Sequence, residues 1–520
     1  MEKTSRQAAI AAGGKVVGSM TPVWTQAADH ATPSSQKRLD ESVARLERLD
    51  PSLSARTGLW PAQRTWLIAL AAGTLSLMFS APALIGLVLQ FLFALAFALL
   101  LWVRLLALRH ALSRADHPTG PRNIAAQPDA EPPVYSILIA LHAEVPVVPQ
   151  LVGAMRALDY PTGRLDIIFV LEAHDEATRA ALLATNLPPH MRLIIVPAGL
   201  PRTKPRALCY ALTFARGDYV VVYDAEDLPD PGQLSRALAA FENGSVNLGC
   251  LQASLAINNA HESWLTAQFA IEYTALFDAI LPAFAHHNLP VPLGGTSNHF
   301  RRQALDAAGG WDPWNVTEDA DLGLRLARSG WHVDVLPSTT WEEAPGEVRP
   351  WLAQRTRWQK GWLQTYFVHM RDPVRLWREL GPKSWIWFQI VLGGGLISTL
   401  AHPWFYAMLA IDWANGCLFP TLESGPRAWA WWFGIINLAA AAVVTILLAL
   451  LALRRRGRSD LYLHALMSPL YWLPISVAGY RAIYEWIRAP FYWAKTPHGK
   501  SETKGRTQEV GAGERNRTLA

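Results

Sequence analysis

From Trp66 to Leu108 the chain carries a single formally charged residue, Arg104. A helix needs about 20 apolar residues to cross a bilayer. The run is therefore long enough for two crossings, and a chain containing it cannot be wholly water-soluble. Ser80-Ala-Pro82 divides it into spans near 64–82 and 84–106, within a membrane unit at 63–108. The pattern returns after Arg378, near 384–412, 429–453 and 462–487. Pro469 and Pro474 interrupt the last stretch, which has basic residues on both flanks. It is read as a kinked hairpin, making about four crossings over 384–490 and about six in all. Arg109, Arg114 and Arg122 after the second span, and Arg454-Arg-Arg-Gly-Arg458 later, assign those ends to the cytosol by the positive-inside rule.

Composition agrees: 51% of the 520 residues are hydrophobic and 17% charged, against roughly 25% charged in soluble proteins. Cys209, Cys250 and Cys417 share no short spacing, which argues against a disulfide framework or a cysteine zinc site. The net charge of +5 is spread along the chain, so nucleic acid is not an expected partner. Residues 1–62 hold no long apolar run and read as a disordered cytosolic tail, interrupted by a short helix near Gln36–Leu49. Residues 491–520 read as a second cytosolic tail.

Between the membrane segments, residues 130–345 read as a soluble α/β domain. The runs Val134–Leu141, Ile167–Leu171, Arg192–Val196 and Tyr219–Tyr223 alternate with helical stretches such as Val148–Ala157 and Glu176–Ala184. That alternation predicts a mostly parallel sheet, in which ligands sit at the carboxyl ends of strands. Two strands run into acids there. Tyr219-Val-Val-Val-Tyr leads into Asp224, Glu226 and Asp227, whose spacing suits chelation of Mg²⁺ or Mn²⁺ but equally a solvated turn before Pro229. Ile168-Phe-Val-Leu leads into Glu172 and Asp175, one of which could meet a nucleoside; Asp175 serves equally as a helix N-cap.

Thr317-Glu-Asp-Ala-Asp321 opens a helix. Thr317 fits an N-cap, Glu318 and Asp319 suit the positive helix end, and a carboxylate held there beside a cleft could also take a proton from a hydroxyl. Over 346–382, Trp351, Trp358, Trp362 and Tyr366 recur at helical spacing among Arg349, Arg355, Arg357 and Lys360, as in a helix lying on the membrane surface. Gln354, Arg357 and Trp358 share a face of it. Interfacial anchoring explains the Trp and Arg there but not the Gln.

In this order, acid, Asp-x-acid, Thr-Glu-Asp and Gln-x-x-Arg-Trp, the constellations resemble the signature of processive family-2 glycosyltransferases, the cellulose, chitin and hyaluronan synthases and their bacterial relatives. The resemblance covers about Pro133 to Met370 with the flanking spans. It implies a GT-A-type, Rossmann-like α/β domain inserted between transmembrane helices of a bacterial inner-membrane protein. Asp224 and Glu226 would hold Mg²⁺ or Mn²⁺ on the diphosphate of a UDP-sugar; Glu172 or Asp175, with Lys204, would lie at the nucleotide. Asp319 would be the general base. Thr317, Glu318, Gln354, Arg357 and Trp358 would serve the acceptor glycan and the leaving diphosphate, and direct attack would invert the anomeric centre. Gly294-Gly-Thr-Ser-Asn-His-Phe300 stands where the family has its acceptor-side loop. Phe491-Tyr-Trp-Ala-Lys-Thr-Pro-His-Gly499 is similar to the family's gating loop, with Lys495, Thr496 and His498 toward phosphates; a basic juxtamembrane tail would look the same.

Three motifs depart from the family: Glu-Ala-His-Asp stands for an Asp pair, Asp-Ala-Glu for Asp-x-Asp, and Gly-Gly-Thr-Ser for a Cys-containing loop. The expectation is an exopolysaccharide synthase that moves its polymer across the membrane, with other export subunits as further partners. The alternatives are single-sugar transfer to a polyprenyl phosphate or diacylglycerol, and a non-catalytic export component.

Overall fold

The computed structural model describes residues 32–113, 131–416 and 425–495. Its centre is an eight-stranded sheet: β1 (Tyr135–Leu141), β2 (Leu165–Glu172), β3 (Met191–Val196), β4 (Tyr219–Tyr223), β5 (Leu228–Pro229), β6 (Leu248–Ile257), β7 (Asn298–Arg301) and β8 (His332–Glu342), in the order β3-β2-β1-β4-β7-β6-β8-β5. β1 to β4 pair in parallel, with the Val148–Arg156, Glu176–Leu183 and Lys204–Leu212 helices as crossovers. β7 runs antiparallel to β4 and β6, and β5 antiparallel to β8. The sheet is thus mixed but mostly parallel, with β7 and β5 alone running against the other strands.

β1, β2 and β4 are buried on both faces, which is why they read as unbroken apolar runs. Alternate residues feed two cores. Ile137, Ile139, Ile167 and Phe169 face Val148 and Leu151. Leu138, Ile168 and Val170 face a second core that continues through Phe269 and Trp351 to Trp387, Leu453 and Tyr471. The catalytic-type domain and the membrane-side helices therefore share one apolar interior.

Among the described residues three helices are long and apolar enough to cross a membrane, Pro82–Ser113, Pro373–Ala414 and Ala428–Arg455. A fourth span results if Ser459–Ala465 and Ser468–Arg488, bent by 66°, count as one. This is fewer than the six or so expected, and the Pro61–Ser80 helix, read from sequence as a crossing, is not among them. The Val348–His369 helix is not a surface anchor with one wet face: Trp351, Arg355, Lys360, Leu363, Gln364 and Val368 are all buried. At the amino end, helices at Pro33–Val43 and Arg45–Leu49 pack Leu39 and Leu46 into the protein. The segment from residue 32 onward is therefore ordered structure, where a disordered tail with one short helix was expected.

Candidate active site

The carboxyl ends of β1, β2, β4 and β8 open onto a cleft of about 940 Å³, closed on its far side by the Val348–His369 helix. Asp224, Glu226, Glu342, Glu318, Asp319, Lys204, Gln354, Arg357 and Trp358 all line it. Four sequence motifs far apart in the chain therefore meet in one chamber.

At its centre lies Gly295. A Cβ there would stand 3.3 Å from Asp319 Oδ2, a tight contact, and 4.0 Å from Asp224 Oδ2, an ordinary one, so this position has both acids as neighbours. Lys204, the first residue of its helix, forms an ion pair with Asp224 and donates to Gly295 O at 2.7 Å. Burial would lower the Lys204 pKa, but Asp224 and Glu318 outweigh it and hold the ammonium charged. Behind Asp224, Asp227 is fully buried; its Oδ2 accepts the Asp224 N–H at 2.7 Å and the Thr296 hydroxyl. Burial, then the charges of Asp224 and Glu226, push its pKa well up. Glu342, at the end of β8, is raised by burial and by the same three acids.

The fourth acid of this cluster, Glu342, was not singled out from sequence. Its signal was the one used for Asp224, a strand running into acids at Trp341-Glu-Glu343. Asp227 Oδ1 and Glu342 Oε1 are buried without a hydrogen-bond partner. A crowd of hard oxygen donors with unspent lone pairs fits Mg²⁺ or Mn²⁺. Among the described residues no three His, Cys, Asp or Glu side chains converge on one point, so a diphosphate would have to complete any such coordination.

The Thr-Glu-Asp turn is built from the opposite side. Thr317 occupies the N-cap position of the Glu318–Arg328 helix, but its side chain makes no capping bond. Instead Asn315 Oδ1 accepts the Thr317 N–H at 3.0 Å, and Gln364 Oε1 accepts the Val316 N–H at 3.1 Å. Gly361 lets the helix backbone press directly on the Thr317 side chain; any Cβ there would collide with it. Burial raises Asp319 above the usual carboxylate range, while burial and the neighbouring Asp319 charge push Glu318 up to about 8. Asp319 is thus a stronger base than its residue type suggests, and Glu318 holds a proton at neutral pH.

At the β2 end, the two candidate acids divide. Glu172 lines the cleft and pairs with the buried Arg206. Asp175 caps the next helix, accepting the Thr178 N–H at 3.2 Å, and binds the Ala143 N–H at 2.6 Å. On the far wall, Arg357 donates to Val316 O at 3.3 Å and lies 4.4 Å over the Trp493 ring, while Gln354 Oε1 is buried without a partner. Lys495 reaches across to Ala143 O at 2.7 Å and Glu144 Oε1 at 3.1 Å. Thr496 and His498 lie outside the described residues. The lining also holds apolar side chains, Phe269, Leu276, Phe277, Leu281 and Leu293, with Glu272, Tyr273 and Arg355 among them.

The sequence model described as glycosyl transferase family group 2 matches residues 219–479, half of the chain. The chain belongs to that family. Its α/β domain is accordingly of the GT-A type. It is 29% identical to the probable glycosyltransferase YdaM of Bacillus subtilis over 44% of this chain and 56% of that protein. It is 29% identical to the beta-monoglucosyldiacylglycerol synthase of Synechocystis sp. over 59% of this chain and 64% of that one, and 27% identical to that of Trichormus variabilis over 54% and 60%. The chain thus spans less than two thirds of the length of these relatives. Among solved structures, the mannosyltransferase PcManGT from Pyrobaculum calidifontis in complex with GDP-Man and Mn²⁺ is similar at 20% identity and a TM-score of 0.49, covering 76% of this chain and 98% of that one.

Proposed function

We propose that this family-2 glycosyltransferase transfers one sugar from a nucleotide-diphosphate donor such as a UDP-sugar, with inversion, to the hydroxyl of a lipid of the diacylglycerol type at a cytosolic membrane face. The observation that carries the acceptor class is the group of apolar side chains in the cleft lining. Phe269, Leu276, Phe277, Leu281 and Leu293 offer surroundings that suit acyl chains, with Glu272, Tyr273 and Arg355 standing among them as polar contacts. Two relatives named as glucosyldiacylglycerol synthases support the same reading.

In this scheme Glu172 and Lys204 flank the nucleotide. Asp224 and Glu226 would hold Mg²⁺ or Mn²⁺, which neutralises charge on the departing diphosphate. Arg357 adds a fixed positive charge in the same wall. Asp319 removes the acceptor hydroxyl proton as the new C1–O bond forms and the bond from C1 to the diphosphate oxygen breaks. Its raised basicity serves this step, and Gln354 Oε1 is available to orient the hydroxyl. No second nucleophile is required.

A polymer-forming reading keeps one observation in its favour: Trp358 and Trp362 both line the cleft, and aromatic rings suit sugar faces. Membranes holding the protein, incubated with radiolabelled UDP-sugars, diacylglycerol and Mn²⁺, separate the two. An organic-extractable monoglycoside is expected. Label confined to high-molecular-weight material would overturn the lipid reading, as would dependence on separate export subunits.

A further inference from the structure

We infer that the N-terminal segment 32–58 is a strap that sets the donor-side wall of the cleft, with Asp312 as its positioning residue. The inference rests on the nucleotide-sugar reading above. The strap itself lines no part of the cleft. Ser54, Ala55 and Arg56 meet the loop at 311–316, which runs straight into Thr317-Glu-Asp319.

Asp312 is fully buried, and its carboxylate is shared. Oδ2 accepts the Ala55 N–H at 2.6 Å; Oδ1 accepts the Ser54 hydroxyl at 3.3 Å and the Trp314 N–H at 3.1 Å. One side chain therefore ties the strap to the residue that walls the cleft. Arg56 lies 5.2 Å over the Trp314 ring, and the ring meets Phe491 edge-on at 5.0 Å; Trp314 and Phe491 both line the cleft. On its other side the loop is held by the Thr203 hydroxyl, which donates to Pro313 O at 2.8 Å next to Lys204. A second contact stands behind another lining residue: a Cβ on Gly199 would sit 3.1 Å from Leu39 Cδ2.

The strap is also fastened at the membrane side. Arg371 donates to Ser52 O and Ser54 O at 2.8 Å each and to Gly58 O at 2.6 Å, and Arg375 pairs with Asp50 at 2.7 Å. It therefore spans from Arg371 and the Pro373–Phe388 helix to the donor-side rim. Loosening it removes no reacting group, so donor affinity should suffer while the chemical step does not.

Ala55→Pro tests this with little disturbance. Ala55 is the first residue of its turn and Ser54 is extended, with φ −88° and ψ 135°, so proline fits and only the N–H to Asp312 is lost. In the full chain we expect donor KM to rise about tenfold with kcat within about threefold of wild type. Trp314→Ala should do the same, and the double variant should be no worse than either single one, because the strap acts by placing the Trp314 ring and has nothing to place once that ring is gone. Binding of UDP alone, by calorimetry, keeps the strap separate from the reaction. A wild type that binds UDP but makes no glycoside, with Ala55→Pro binding about tenfold more weakly, sinks the reaction and sustains the strap. Unchanged UDP affinity and KM in Ala55→Pro, or additive losses in the double variant, would overturn the strap, whether or not the melting temperature falls.

Discussion

Two carboxylate sites face each other across Gly295, and they solve the problem of buried charge in opposite ways. Asp224 is neutralised by a cation of the protein's own, the Lys204 ammonium. Asp319 has another acid, Glu318, beside it in sequence, and burial raises both. The first arrangement presents a charge that an external cation can take over from lysine. The second keeps one proton on Glu318 and leaves Asp319 poised to accept another. Residue type is nearly the same in the two places; in the proposed mechanism it is the neighbours that suit one to hold a cation and the other to act as a base.

The contrast can be broken most sharply at the base. Asp319→Asn should reduce glycoside formation on the order of 10³-fold with donor binding intact; activity within tenfold of wild type would mean that the proton goes elsewhere. Next comes Asp224→Asn, expected to lose about 100-fold and to abolish the response to added Mn²⁺, read by titrating metal into EDTA-treated protein. Lys204→Met should separate the two roles of that lysine. Turnover falls about tenfold, yet Mn²⁺ binds more tightly because its competitor for Asp224 is gone; weaker Mn²⁺ binding by electron paramagnetic resonance would contradict the exchange.

The mildest change is Glu318→Gln, an amide in place of an acid already protonated at neutral pH. It should stay within about threefold of wild type at pH 7, and any change of rate in the wild type near pH 8, where Glu318 ionises, should vanish. Away from the cleft, His299 is buried with its pKa lowered to about 3, between the Tyr135 hydroxyl and Gln233. Its folded value lies below its unfolded one, so its contribution to stability is present above about pH 6.5 and is lost as the pH falls toward 3. Thermal melts of wild type and His299→Gln between pH 7 and 4 should converge at the acid end.

Much of the cleft was legible because its acids follow apolar strands or open a helix, and such ends are visible in a sequence. Strands β1, β2 and β4 read clearly because both faces are buried, so each is a largely apolar run. β7 and β5 left little pattern. Asn298–Arg301 has four residues, polar ones among them, and Leu228–Pro229 only two; both owe their extended form to the neighbours they pair with. Glu342 gave a readable signal that drew no attention, because no strand had been assigned before it. The strap was obscured by composition, since Leu39 and Leu46 are its few deeply buried large side chains; its other attachments are backbone groups, which leave no mark on residue type, or polar side chains such as Asp50, Ser54 and Arg56 that read as ordinary surface residues. The pairing of Glu172 with Arg206 was likewise out of reach, as nothing local joins residues 34 positions apart.

The apolar interior that runs unbroken from the sheet to Trp387, Leu453 and Tyr471 has a practical corollary. The domain has no seam along which it can be cut away from the bilayer. A fragment ending before Val348 would lay Phe269 and its neighbours open to water and remove the helix against which the Thr317 turn is moulded. Insolubility of that fragment would then reflect a missing half of the fold and say nothing of how the two halves reached their arrangement.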